Sequence, residues 1–285
     1  MTRQQAVDFA AARLVQVCDN PRLDAQLLVC HACDIEHAVL FAHPEIPLSR
    51  SEESLFRSCC SSRLLGTPLA HISGKKEFWS LEFIVNEHVL IPRPETELLV
   101  ETALQCIAEK KVVKILDLGT GCGAIAVAIA KERRDCTVVA ADISTPALKV
   151  ARMNAKRHGI DILFIHSDWY ENLGRHQFDV IVSNPPYIAE KDPELDAHVA
   201  QFEPALALIS GESGLEALER IIGKASRYLA PGGHIVLEHG FRQGQQTRRL
   251  LQQHGFEQVR TCQDLAGQDR VSCAHLGAGQ AQRSP

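Results

Sequence analysis

The stretch Val112-Val113-Lys114-Ile115-Leu116-Asp117-Leu118-Gly119-Thr120-Gly121-Cys122-Gly123 decides the fold. Apolar residues crowd its first half and glycines close it, the pattern of a buried strand that ends in a tight turn. Ala124–Lys131 behind it reads as a helix. Outward from this unit the alternation continues. Thr137–Ile143, Ile162–His166 and Phe178–Ser183 read as further buried strands, with Thr145–His158 and Leu215–Leu229 as helices. His234–Glu238, Phe256–Cys262 and Val271–His275 supply three more strands. Strands alternating with helices predict an α/β fold: a mostly parallel sheet with helices on both faces.

The residues before the sheet read differently. Val7, Ala11, Leu14, Val15 and Cys18 fall at helical spacing, and Asn20-Pro21 breaks the run. Leu23–Cys33 and Ser51–Leu65 predict two more helices, the second capped by Ser49 or Ser51. Residues 1–73 are therefore expected as a small helical bundle. Six Lys/Arg against eight Asp/Glu there suit contact with protein better than with nucleic acid; a packing domain with no recognition role is the plainer alternative. Over 74–94 a β-hairpin linker is expected, with Glu77–Val85 and Val89–Ile91 as strands and Asn86-Glu87-His88 as the turn. Pro92 and Pro94 stop any strand, and a helix is expected over Glu95–Lys110. The sheet domain then runs over 95–276, and 277–285 reads as a polar, frayed tail.

Composition narrows the classes. The 285 residues are 45% hydrophobic and 23% charged, ordinary for a globular protein with one or two domains. No apolar run reaches the roughly 18 residues of a membrane span. The first residues lack the layout of a secretory signal, so a cytoplasmic location is expected. A net charge of −5 and an aromatic content of 5% argue against an electrostatic or stacking grip on nucleic acid. The ten cysteines are scattered, which suits reduced thiols. Cys30-His31-Ala32-Cys33 with Cys59-Cys60 is a conceivable zinc set, but the CxxC lies on a helical pattern and no second CxxC completes it, so no metal is expected.

Three motifs at strand ends carry the chemistry. Gly119, Thr120, Gly121, Cys122 and Gly123 form a turn between strand and helix, where glycines let a ligand approach the main chain. Asp142 ends the next strand; a carboxylate there can accept both hydroxyls of a ribose, as NAD and adenosylmethionine enzymes both require, or it simply caps a helix. Ser167-Asp168-Trp169 offers an acid and an aromatic for an adenine edge and face, with packing of Trp169 into the core as the other reading. Asn184-Pro185-Pro186-Tyr187 follows the strand Phe178–Ser183. Two prolines donate no N–H and hold the chain extended, so carbonyls and the Asn184 oxygen can face a site as acceptors beside the flat Tyr187 ring. A planar NH2 group fits such a corner; a rigid turn alone is the plainer explanation.

Together these motifs resemble the class I adenosylmethionine-dependent methyltransferases with a Rossmann-like sheet. Ile91-Pro92-Arg93-Pro94-Glu95-Thr96-Glu97, Phe202-Glu203-Pro204-Ala205-Leu206-Ala207-Leu208 and Leu237-Glu238-His239-Gly240 narrow the resemblance to the PrmC/HemK family, the peptide chain release factor glutamine methyltransferases. It runs from about Arg3 to about His275. The resemblance implies S-adenosylmethionine along Gly119–Gly123, with Asp142 on its ribose and Trp169 near its adenine, and S-adenosylhomocysteine as product. It implies that Asn184 touches cofactor and substrate, and that Pro185, Pro186 and Tyr187 complete a glutamine pocket. Asn184, Pro185 and Tyr187 are the expected catalytic set, with Asn184 a positioner rather than a general base. The implied partner is the GGQ glutamine of class I release factors, met by a monomer with no direct nucleic-acid or membrane contact.

Rival readings use part of this set. A glutamine methyltransferase of a ribosomal protein would keep the same corner. An adenine or cytosine amino-methyltransferase would also want a planar NH2, but the acidic balance disfavours it. A NAD-dependent oxidoreductase explains the glycine loop and Asp142 and leaves Asn184–Tyr187 without a role.

Overall fold

The computed structural model describes residues 1–107, 112–192 and 197–277. It divides into two compact units, Met1–Lys75 and Lys76–Pro285.

The first unit is helical. Helix α1 (Arg3–Leu14) opens with a reciprocal capping box between Thr2 and Gln5, and α2 (Pro21–Cys33) starts at Asn20, whose side chain accepts the Leu23 N–H. Asn20-Pro21 thus begins a helix as well as ending the preceding run, because Pro at the first helical position lacks only an N–H that would go unused. After α3 (His37–Ala42), α4 (Arg50–Leu64) is capped by Ser49, again with a box, to Glu52. A last short helix, α5 (Leu69–Ser73), ends in Gly74 at φ +71°. The short helices α3 and α5 were not expected from the sequence; six and five residues are too few to display an apolar stripe. Leu14, Leu28 and Phe56 fill the core without exposure, each worth about 1.5–3 kcal/mol of apolar burial. Arg63 on α4 reaches Asp24 on α2 at 2.8 Å. Cys30, Cys59 and Cys60 line the same core, and burial pushes their thiols up, favouring the protonated form.

The hairpin differs from the sequence expectation. Strands β1 (Lys75–Phe78) and β2 (Leu81–Ile84) pair across a turn at Trp79-Ser80, so the single strand expected over Glu77–Val85 is cut in two. Val89–Ile91 is not a strand. Both turn residues take left-handed φ, +52° and +55°, which the mirror-image hairpin turn demands and which Trp seldom adopts. The Trp79 N–H donates to Glu97 at 2.7 Å and its indole N–H to Glu132 at 2.8 Å, and these bonds hold the turn.

Pro94–Thr96 forms one 3₁₀ turn before α6 (Glu97–Cys106), so the expected Glu95–Lys110 helix is shorter at its start, and Lys110 lies outside the described residues. The sheet is built from β3 (Lys114–Leu118), β4 (Thr137–Asp142), β5 (Leu163–His166), β6 (Phe178–Ser183), β7 (Leu229–Glu238), β8 (Phe256–Gln263) and β9 (Asp269–Leu276). Its order is β5-β4-β3-β6-β7-β9-β8. The first five run parallel; β9 lies antiparallel between β7 and β8. Helices α7 (Ala124–Glu132), α8 (Thr145–His158), α9 (Ala197–Phe202), α10 (Ala205–Leu208), α11 (Glu216–Ala225) and α12 (Gly244–Gln253) complete the unit. Helix α7 is apolar almost all round, and Ala124 to Ala130 are all buried. The tail expected over 277–285 lies outside the described residues beyond Gly277. Among the described residues, no helix is long and apolar enough to cross a membrane.

Candidate active site

From β3 the chain moves outward to β4 and β5, then returns to the other side of β3 as β6. This reversal opens a crevice at the carboxyl ends of β3 and β6, where open α/β sheets bind ligands. Ser183 Oγ donates to the Leu118 carbonyl at 2.6 Å and ties the two strand ends together.

A cavity of about 340 Å³ occupies this crevice. Gly119, Thr120, Gly121 and Cys122 form one wall, and their loop is pinned by the Gly119 and Thr120 N–H groups, both donating to the Ala141 carbonyl at 2.8 and 3.0 Å. Gly123 does not line the cavity. It starts α7 at φ +84°, and a Cβ there would come within 3.2 Å of Ala151. Asp142 lines the cavity with a carboxylate that already accepts Gly121 N–H and Ser144 N–H, each at 2.8 Å. A carboxylate has about four acceptor positions, so two bonds leave room for two more. Burial raises its pKa and the two N–H bonds oppose that rise.

Trp169 stands over the glycine loop: a Cβ on Gly119 would meet its ring at 3.5 Å. The ring also packs on the main core cluster, so Trp169 both lines the cavity and seals the core behind it. Asp168 is held by Arg220 of α11 at 2.7 Å, a partner on a distant segment that the local pattern did not reveal. Deeper, Asp117 is fully buried; Thr120 Oγ1 donates to it at 2.6 Å while its Oδ1 has no partner. Burial pushes its carboxyl up to about 7.

The Asn184–Tyr187 corner lies at the end of β6. Asn184 and Pro186 line the large cavity. Asn184 and Tyr187 line a second one of about 130 Å³, with Leu90, Arg93, Ile188, Ala207 and Leu208. Asn184 therefore belongs to both walls. Its Nδ2 donates to Thr96 Oγ1 at 3.2 Å, whereas its Oδ1 is buried with no partner. Pro185 is buried and lines neither cavity. Burial pushes the Tyr187 phenol up to about 12, so it stays neutral and supplies a flat face.

Two stretches singled out only by resemblance meet here. Arg93 pairs with Glu203, whose other oxygen accepts the Ile91 N–H at 3.1 Å. Glu203 is buried, and Arg93 lines both cavities. Arg93, Thr96, Glu203 and Glu238 are the residues whose roles the sequence did not disclose; the conspicuous charge in Pro92-Arg93-Pro94-Glu95 was the available signal. Among the described residues, no group of three or more His, Cys, Asp or Glu side chains is placed to hold a metal ion.

Residues 5–74 match the PrmC N-terminal domain and residues 94–212 the methyltransferase small domain. The chain is 47% identical over 252 residues to a release factor glutamine methyltransferase of Xylella fastidiosa strain 9a5c, covering 88% of this chain and 92% of that protein. It is 43% identical to the protein of that name from Coxiella burnetii, covering 96% and 99%. In structure it resembles a methyltransferase from Pyrococcus furiosus, with a TM-score of 0.53 at 20% identity over 71% of this chain and 92% of that one. The identity held across nearly the whole chain, helical unit included, places this protein in the family of release factor glutamine methyltransferases.

Proposed function

We propose that this protein transfers a methyl group from S-adenosylmethionine to the side-chain amide nitrogen of the GGQ glutamine in class I peptide chain release factors. The observation that carries the reading is the position of Asn184 on the wall shared by two cavities, with a buried, unpartnered Oδ1. An acceptor without a partner is costly inside a protein. A substrate carboxamide offers the two N–H donors such an acceptor needs.

The large cavity suits the cofactor. Gly119–Cys122 present main chain with no side-chain obstruction at the glycines, Asp142 has free acceptor positions for ribose hydroxyls, and Trp169 offers a ring to the adenine side. The buried Gly123 would shape the loop from behind. The cofactor supplies an activated methyl on a sulfonium with a neutral leaving group. In the small cavity, Tyr187 would face the plane of the glutamine amide and Pro186 would border it from the cofactor side.

An amide nitrogen is a weak nucleophile because its lone pair is shared with the carbonyl. Asn184 Oδ1 would draw on the amide N–H side and turn the lone pair toward the methyl; Pro185, expected as a second acceptor, lines neither cavity and would act by holding the corner extended. Orientation of this kind is worth roughly 7–11 kcal/mol in well-positioned reactions. The same acceptor would stabilise the positive charge that grows on nitrogen. Asn184 is not a base: the methyl passes to nitrogen as the sulfur leaves as a neutral thioether, and the acidic N–H of the cationic product then gives its proton to water.

The reading includes a cytoplasmic monomer that recognises protein, uses no metal and makes no direct contact with nucleic acid; a net charge of −5 supports the last point. The test is labelled methyl transfer offered in parallel to release factor, ribosomal protein and DNA. Label is expected on the GGQ glutamine of the release factor. Asn184→Ala should cut turnover at least 100-fold while cofactor affinity, measured by calorimetry, changes little. Turnover near wild type in that variant, or preferred labelling of either other acceptor, overturns the reading.

A further inference from the structure

Glu238 ends β7 beside the proline corner. In the sheet Ser183 lies opposite Leu237, so the next residues, Asn184 and Glu238, leave their strands side by side. Glu238 is 1% exposed and its Oε2 has no hydrogen-bond partner. The Thr96 and Asn184 side chains lie near the carboxylate and favour its charged form. Thr96, 4% exposed, accepts the Asn184 Nδ2 bond at 3.2 Å.

These contacts have a direction. An ionised carboxylate only accepts hydrogen bonds. A hydroxyl beside it donates to it, and is left to accept from the next group along. That next group must then present an N–H, which is the nitrogen side of the Asn184 amide. The oxygen is then the far side of the amide, buried and without a partner, on a residue that lines both cavities. An amide turned the other way would set its oxygen against a carboxylate and lose both donors.

We propose that Glu238 is a positioning residue: through Thr96 it fixes the Asn184 carboxamide with its oxygen toward the substrate amide. The proposal rests on Asn184 accepting the substrate N–H bonds, as argued above. Glu238 itself touches neither substrate nor cofactor in this scheme.

A dependence on pH follows. Burial holds the Glu238 carboxyl up at about 7. The Thr96 and Asn184 contacts oppose that rise, as does Arg270 of β9, itself paired with Asp264; Glu95 of the 3₁₀ turn adds to it. Tyr187 faces the carboxylate from the corner and stays neutral, and burial lowers the pKa of the adjacent His239, keeping it neutral as well. A protonated Glu238 gains a donor and no longer dictates the direction of the chain of bonds. The competent orientation is therefore fullest above about pH 7 and is lost as Glu238 takes up its proton.

The experiment is single-turnover methyl transfer to release factor from pH 6 to 8.5, with cofactor binding measured in parallel. The wild-type rate should fall on the acid side with a midpoint near 7. Glu238→Gln, whose amide both donates and accepts, should lower the rate at pH 8 by roughly 10- to 100-fold, the scale of a misplaced reacting group. It should also flatten the acid limb and leave cofactor affinity unchanged. Thr96→Ser keeps the hydroxyl and should stay within about threefold of wild type, whereas Thr96→Val should lose as much as Glu238→Gln. If Glu238→Gln does not fold, the serine and valine variants and the wild-type profile decide. The proposal is overturned if Glu238→Gln keeps the wild-type rate and limb, or if serine and valine at position 96 are equally poor. An inactive Asn184→Ala beside an unaffected Glu238→Gln would sink Glu238 alone; an active Asn184→Ala would sink the reading beneath it.

Discussion

Asn154, fully buried on α8, joins the glycine loop to the hairpin: its Nδ2 donates to the Cys122 carbonyl at 2.8 Å and to the Ile84 carbonyl at 3.0 Å. Its Oδ1 accepts the Ile84 N–H at 2.7 Å. One side chain thus satisfies three main-chain groups on segments far apart in the sequence. Asn154→Ala leaves those groups without partners in a dry place, which costs about 1–3 kcal/mol for each group that water cannot reach. Chemical denaturation should show a loss of about 2–4 kcal/mol. Calorimetry should show weaker cofactor binding, because the loop carrying Cys122 loses its rear anchor. A variant as stable as wild type would refute the anchoring role.

The sequence displayed the parts of the site that sit at strand ends, because a strand end announces itself locally. Gly119–Gly123, Asp142 and Asn184–Tyr187 each follow an apolar run, and the crevice gathers most of them. What escaped notice depends on contacts between distant segments. Arg93 and Glu203, Asp168 and Arg220, and Asn154 with Cys122 are separated by 110, 52 and 32 positions, and no local periodicity reports such pairs. The turn at Trp79-Ser80 escaped for another reason. Trp79 has strand propensity, and the bonds it donates to Glu97 and Glu132 override it. The insertion of β9 between β7 and β8 was likewise hidden, since strand order is not written in apolar runs.

Within the glycine loop, two positions should respond differently to alanine. Gly121 has φ +56° with nothing near its absent Cβ, so Gly121→Ala carries backbone strain of about 1 kcal/mol and little else. Gly123 has φ +84°, and its Cβ would meet the Cβ and Cα of Ala151 at 3.2 and 3.3 Å. A helix main chain cannot give way as a flexible side chain can. Gly123→Ala should therefore cost about 2–4 kcal/mol in thermal or denaturant unfolding, at least twice the loss at Gly121. Equal losses would show that α7 and α8 move apart freely.

Asp117 makes the stability of the unliganded protein depend on pH. Burial raises its carboxyl to about 7 in the folded state, whereas the unfolded chain releases the same proton near the ordinary value of 3.8. Between those values the folded protein binds more protons than the unfolded one, so stability falls as pH rises from about 4 to about 7. The loss is on the order of 2–4 kcal/mol and is complete above that window. Asp117→Asn cannot ionise and should flatten the slope in unfolding experiments at pH 5 and pH 8. A smaller slope of the same sign should remain from Glu238, whose carboxyl burial also raises to about 7. An unchanged slope in the asparagine variant would show that Asp117 is ionised in the folded protein throughout.

The helical unit should matter for the whole protein substrate and not for the reacting loop. Residues 1–75 have their own core around Leu14, Leu28 and Phe56, and neither cavity is lined by any of them. A short GGQ peptide would meet only the Asn184 corner, whereas an intact release factor presents a surface beyond its loop. The sheet, both cavities and the Asn184–Thr96 bond are built from residues beyond 75, and the test is a chain lacking residues 1–74. Its kcat/KM on intact release factor should fall at least tenfold, mostly through KM, an effect of about 1.4 kcal/mol or more in binding. On the peptide its rate and its affinity for cofactor should stay close to wild type. Similar losses on both substrates would mean that the unit supports the fold of the sheet domain and does not dock the partner.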